Sequence, residues 1–81
     1  MYVNDELDLI KMRLEALCRS ALDEYVSSEN YSVNALAGSA LMLKRFFDFK
    51  HGNSEFTCLE LKNQANELLE IYKMRDIPIK F

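Results

Sequence analysis

The sequence predicts an all-α protein, a small three-helix up-down-up bundle with an extended C-terminal tail. Apolar residues recur at helical spacing along nearly all of its 81 residues. Two glycines and one proline are too few for a turn-rich β fold. Short connections between the three periodic segments imply antiparallel neighbours. We expect a single domain, residues 1–81, with helices at about 5–26, 33–51 and 58–74 and a tail at 75–81.

Composition and charge narrow the class of protein. The chain is 49% hydrophobic and 28% charged, which is typical of a globular protein. Acidic residues at positions 5, 6 and 8 stand where a signal peptide would be basic, and the apolar run 33–43 is too short to span a bilayer. The net charge of −3 disfavours a nucleic-acid binder. We therefore expect a cytoplasmic protein with no membrane or nucleic-acid contact.

The first and third helices each show one clean apolar face. In the first helix this face comprises Leu7, Ile10, Leu14, Leu17, Cys18, Ala21, Leu22 and Tyr25. In the third it comprises Cys58, Leu61, Ala65, Leu68, Leu69 and Tyr72. Thr57 and Glu60 have the spacing of a capping box, and Phe56 with Leu61 have that of a hydrophobic staple. The third helix is therefore predicted to begin just after Thr57.

The second helix shows two apolar faces, which is more than a three-helix bundle requires. A first face comprises Val33, Leu36, Ala37, Ala40, Leu43 and Phe47. A second face comprises Ala35, Met42, Phe46 and Phe49. We expect the first face to enter the core, so that Met42, Phe46 and Phe49 either bind a partner or are covered by a neighbouring helix. An exposed patch there predicts a homodimer or an obligate complex.

Other residues predict how the second helix begins, packs and ends. Ser32 is expected to be its N-cap and Gly52 its C′ residue. Gly38 within the helix costs roughly 1 kcal/mol relative to alanine. Two explanations remain open at Gly38, the close approach of another backbone or a solvent-facing site where the cost is tolerated.

The two cysteines and the single histidine predict no metal centre. Cys18 and Cys58 lie on apolar faces and are expected to be small core residues. In parallel helices their sulfurs would be about 15–20 Å apart along the bundle, beyond disulfide reach. No cysteine lies at ligand spacing from His51, so neither a structural zinc site nor any other cofactor is expected.

Arg45 and His51 form an R-x5-H pattern in the segment RFFDFKH. The pattern resembles the R-x4–6-H signature of HEPN-type ribonucleases, a family of helical proteins that usually act as dimers. The resemblance implies that Arg45 and His51 converge on an RNA phosphate across a two-fold axis. The alternative is that both residues stabilise the negative C-terminal end of their own helix.

The charge is distributed unevenly along the chain. Residues 1–30 carry seven acids and three bases, hence −4, whereas residues 31–54 carry one acid and three bases, hence +2. The topology gathers acids from the ends of helices 1 and 3, with a contribution from the first connection, at one acidic pole. These acids are Asp23, Glu24, Glu29, Glu67 and Glu70. The pole is either a docking site for a basic partner or a solvated surface.

The leading functional hypothesis is a non-enzymatic protein-binding module: a small acidic inhibitor or immunity-type protein, a secretion chaperone or a regulatory adaptor. Its predicted partner-binding residues are Met42, Phe46, Phe49, Asp23, Glu24 and Glu29. One alternative is a small HEPN-like ribonuclease that uses Arg45 and His51. Another is a self-assembling structural subunit whose second helix forms the dimer.

Overall fold

The computed structural model of the protein describes residues 5–26 and 30–76. They form three helices, α1 (Asp5–Val26), α2 (Asn30–Lys50) and α3 (Cys58–Ile71), and these described residues contain no strand. The predicted all-α bundle is therefore the observed fold class. Of the expected tail, residues 75 and 76 form a turn and residues 77–81 lie outside the described part of the chain.

Contacts between the helices define an up-down-up arrangement. The Nζ atom of Lys62 lies 3.0 Å from Oε1 of Glu6, which places the start of α3 beside the start of α1. This hydrogen bond with the Glu6 carboxylate raises the pKa of Lys62 above its ordinary value. Arg45, near the end of α2, donates to Oε1 of Gln64 at 2.9 Å, near the start of α3. Helices α1 and α3 are therefore parallel, and α2 runs in the opposite direction.

The core is formed where all three helices meet. Its buried apolar residues are Leu7, Ile10, Leu14, Leu17, Ala21, Ala35, Met42, Phe46, Leu61, Ala65 and Leu69. The apolar faces predicted for α1 and α3 supply eight of these residues. Leu22 departs from the prediction, since it is about half exposed near the end of α1, and the side chain of Tyr25 lies outside the described part of the chain. A single apolar face on α1 and α3 thus determined which residues they bury.

The prediction for α2 is wrong about which face enters the core. Met42 and Phe46 are only 5% and 7% exposed, and Phe49 packs half-buried against the core. Val33 and Phe47, which were expected in the core, are exposed. Leu36 and Leu43 are partly buried and pack against the core. They lie at the border between the buried side of α2 and its exposed side, so only this edge of the first face contacts the core.

Ser39 is the physical reason why the buried face of α2 was difficult to predict. It lies between Ala35 and Met42 on that face and is fully buried. Its hydroxyl donates to the carbonyl oxygens of Ala35 at 2.8 Å and of Leu36 at 3.1 Å. A serine whose hydroxyl bonds its own helix brings no unsatisfied polar atom into the core. In a pattern of apolar residues, however, a serine is classed as polar. The buried face therefore appeared to be interrupted at Ser39.

The helix starts agree with the prediction at α3 and differ at α2. The N–H of Glu60 donates to Oγ1 of Thr57 at 3.2 Å, and the N–H of Thr57 donates to Oε1 of Glu60 at 2.8 Å. The predicted capping box is therefore confirmed. Helix α2 begins at Asn30, so Ser32 lies inside its first turn and is not the N-cap.

Helices α2 and α3 both end in a Schellman motif, with a left-handed residue at C′. At the end of α2 this residue is Gly52, with φ +78°, and the N–H of Asn53 donates to the carbonyl of Asp48 at 2.8 Å. At the end of α3 it is Lys73, with φ 60°, and the N–H of Met74 donates to Leu69 at 2.7 Å. Gly52 confirms the predicted C′ position.

Gly38 lies where α3 packs closely on α2. A Cβ atom added at this position would lie 3.2 Å from Cδ1 of Leu68. The approach is made by a side chain of α3, whereas the prediction considered another backbone or open solvent. The missing side chain therefore makes room for Leu68.

Candidate protein-binding surface on α2

Helix α2 exposes an apolar stripe on the side turned away from α1 and α3. We define the outer face of α2 as Val33, Ala37, Ala40, Leu41, Lys44 and Phe47, all of which are exposed. Val33, Leu41 and Phe47 are 43%, 48% and 59% exposed. Four of the six members belong to the first face, which was predicted to enter the core. Helix α2 therefore does carry surplus apolar surface, but on the side opposite to the one expected.

The outer face carries little net charge. Its one charged member, Lys44, forms an ion pair with Asp48 of the next turn, with Nζ and Oδ2 2.7 Å apart. Such exposed pairs add little stability, about 0.3–0.5 kcal/mol on a helix. In this protein the pair matters for the charge of the surface, because Asp48 neutralises Lys44, the one charged residue of the outer face.

Phe47 and His51 pack against each other at the C-terminal end of the outer face. The rings of these residues are tilted by 30° with centroids 4.1 Å apart. Nδ1 of His51 lies 2.9 Å from the carbonyl oxygen of Phe47, one turn earlier. His51 is thus held against Phe47 by its own helix, and the exposed phenylalanine ring has a fixed neighbour on one side.

A groove of about 600 Å³ lies between the start of α1 and the end of α2. Its lining comprises Leu7, Asp8, Lys11, Phe46, Phe47, Phe49, Lys50, His51 and Leu61. Leu7, Phe46 and Leu61 are buried and form an apolar floor, and charged side chains of both signs lie among the lining residues. Because Phe47 lines the groove and also belongs to the outer face, the two surfaces are continuous.

The structure does not bring Arg45 and His51 together. Arg45 hydrogen-bonds Gln64 of α3, and its guanidinium lies 4.8 Å from the ring centroid of Phe56. His51 is six positions further along the helix, and at about 100° per residue it lies on a different side. Arg45 therefore links α2 to α3 within one chain. The HEPN-like ribonuclease stays a prediction that no contact among the described residues supports.

The other predicted partner-binding residues are found in different environments, some of them buried and some exposed. Met42 and Phe46 are core residues and are not available to a partner in this fold. Asp23 is exposed near the end of α1, whereas Glu29 and the side chain of Glu24 lie outside the described part of the chain. Glu67 and Glu70, from the acidic pole, are exposed on α3, and Glu70 lies 3.4 Å from a guanidinium nitrogen of Arg75. The role of this pole in binding stays a prediction.

Within residues 5–26 and 30–76, no group of three or more His, Cys, Asp or Glu residues is placed to hold a metal ion. Cys18 and Cys58 are both free thiols and half-buried. None of the helices described is long and apolar enough to cross a membrane.

Leu41 was missed by the sequence reasoning, and Val33 and Phe47 were assigned to the wrong environment. The available signal was that α2 has two apolar sides. The side that faces outward depends on how both α1 and α3 pack against α2. On the α3 side, Gly38 contacts Leu68 and Arg45 bonds Gln64, and the sequence of α2 alone indicates neither contact.

Comparison of the chain with protein-family models, curated proteins and solved structures finds no match. The fold therefore defines the class only as a small all-α bundle.

Proposed function

We propose that the protein is a non-enzymatic protein-binding module whose partner packs on the outer face of α2. The observation that supports this is the presence of apolar side chains on two sides of one helix, of which the bundle itself covers only one. Fully burying a large apolar side chain contributes about 1.5–3 kcal/mol. Val33, Leu41 and Phe47 are about half exposed, so a partner gains part of that amount at each of three positions.

The shape of the outer face suits a helix or another flat element. Ala37 and Ala40 lie at its centre and are exposed. Their short side chains permit an interaxial distance near the lower end of the usual range of about 8–10 Å. Val33 and Phe47 stand at the two ends of the stripe, so a partner seated on the alanines contacts a larger side chain at each end.

The outward surface of α3 is an ordinary protein surface and differs from the outer face of α2. It also exposes two large apolar side chains, Leu59 and Ile71, which are 64% and 69% exposed. They are separated by twelve positions, or about 18 Å along the helix. Glu67 and other acids lie between them. Single exposed apolar residues of this kind are normal. On the outer face of α2, by contrast, the residues between Val33 and Phe47 include the exposed alanines Ala37 and Ala40, and grouped apolar side chains are more typical of an interface.

Within this class, the inhibitor, immunity-type, chaperone and adaptor roles all use a docking surface and no catalytic group. The acidic pole adds the prediction that a foreign partner is basic, because complementary charge raises association rates and selects partners. A cytoplasmic location belongs to the same proposal.

Affinity purification from the native host tests the proposal with a matched pair of variants. Leu41→Glu with Phe47→Glu places two charges on the outer face, and Leu59→Glu with Ile71→Glu places two on α3 at sites that are at least as exposed. We expect the wild type and the α3 variant to retain the same protein, identified by mass spectrometry, and the α2 variant to lose it. Equal retention by the two variants would show that the outer face is not the binding surface.

A further inference from the structure

We draw no further inference here: the strongest candidate, the apolar groove between the start of α1 and the end of α2, has charges of both signs among its lining residues, and nothing in the structure shows what covers it.

Discussion

The two sides of α2 have similar compositions and opposite environments. The buried side carries Ala35, Ser39, Met42 and Phe46, and the outer face carries Val33, Ala37, Ala40, Leu41, Lys44 and Phe47. Each side contains two small residues, Ala35 and Ser39 or Ala37 and Ala40, and a phenylalanine toward the end of the helix. What separates them is the position of α1 and α3. Apolar periodicity therefore tells how many surfaces a helix offers, and its neighbours decide which one becomes core.

The adjacent pair Phe46 and Phe47 gives the strongest test of this comparison. Phe46 is 7% exposed, and Phe46→Ala should reduce the free energy of unfolding by about 3–5 kcal/mol through lost burial and a cavity. Phe47 is 59% exposed, and Phe47→Ala should change it by no more than about 0.5 kcal/mol. Urea denaturation of the two variants, at a concentration where wild type and variants share one oligomeric state, measures both values.

A small domain can lose its fold when a core phenylalanine is removed. Phe46→Leu keeps most of the volume and should cost no more than about 1.5 kcal/mol. Phe47→Leu on the outer face is its matched control. If the Phe47 variants were as destabilising as the Phe46 variants, the two sides of α2 would have been assigned the wrong way round.

Gly38 and Ala37 make a second adjacent pair. A Cβ atom at Gly38 is already 3.2 Å from Cδ1 of Leu68, so the larger side chain of Gly38→Val must displace the Leu68 side chain. We expect Gly38→Val to cost about 1–3 kcal/mol through overpacking. Ala37→Val, one position earlier and exposed, should cost about 0.5 kcal/mol through helix propensity alone.

Thermal unfolding of the two valine variants distinguishes these effects. Leu68→Ala, combined with Gly38→Val, should recover part of the lost stability, because it opens the space that valine needs. A double variant that is simply the sum of the two single variants would show that Gly38 and Leu68 do not share a contact.

The sequence predicted most where a signal is local. The capping box at Thr57 and the left-handed Gly52 depend on a few neighbouring residues, and both were found. The single apolar faces of α1 and α3 left one way to bury them. The left-handed Lys73 had no signal, because this conformation is uncommon for residues other than glycine.

The candidate surface could be predicted only in part. The surplus of apolar residues on α2 was visible in the sequence and led to the expectation of a partner. Its location was not, because the choice between the two sides depends on long-range contacts such as Arg45 with Gln64. Arg45 was interpreted instead as a C-terminal helix residue or a catalytic group, since nothing in its own helix indicates a partner on α3.

Thr57, the N-cap of α3, is remote from the outer face of α2 and can test whether that face contributes to the fold. Thr57→Ala should cost about 0.5–2 kcal/mol, because the N–H of Glu60 loses its acceptor. If the outer face takes no part in the fold of one chain, this cost should be unchanged in the background Leu41→Glu with Phe47→Glu. Chemical denaturation of the protein with and without Thr57→Ala, in each of the two backgrounds and under monomeric conditions, measures this cost in unfolding free energy. A cost that differs by more than about 0.5 kcal/mol between backgrounds would couple the outer face to the bundle.

Ser39 gives the smallest expected effect and tests why the buried side of α2 was misjudged. Its hydroxyl bonds the carbonyls of Ala35 and Leu36, which lie in the same helix. Removing the hydroxyl therefore leaves no buried donor without a partner, and alanine has the higher helix propensity. Ser39→Ala should change the free energy of unfolding by no more than about 0.5 kcal/mol, although the site is fully buried.

The reciprocal change on the outer face, Ala40→Ser, is the control for Ser39→Ala. It should cost a similar small amount through helix propensity, because the added hydroxyl is exposed to water. A loss above about 1.5 kcal/mol in Ser39→Ala would mean that the hydroxyl satisfies a group on another helix. In that case the serine would itself be a contact that fixes the buried side. Near-equal small effects would instead show that the buried face of α2 tolerates a polar atom satisfied within its own turn.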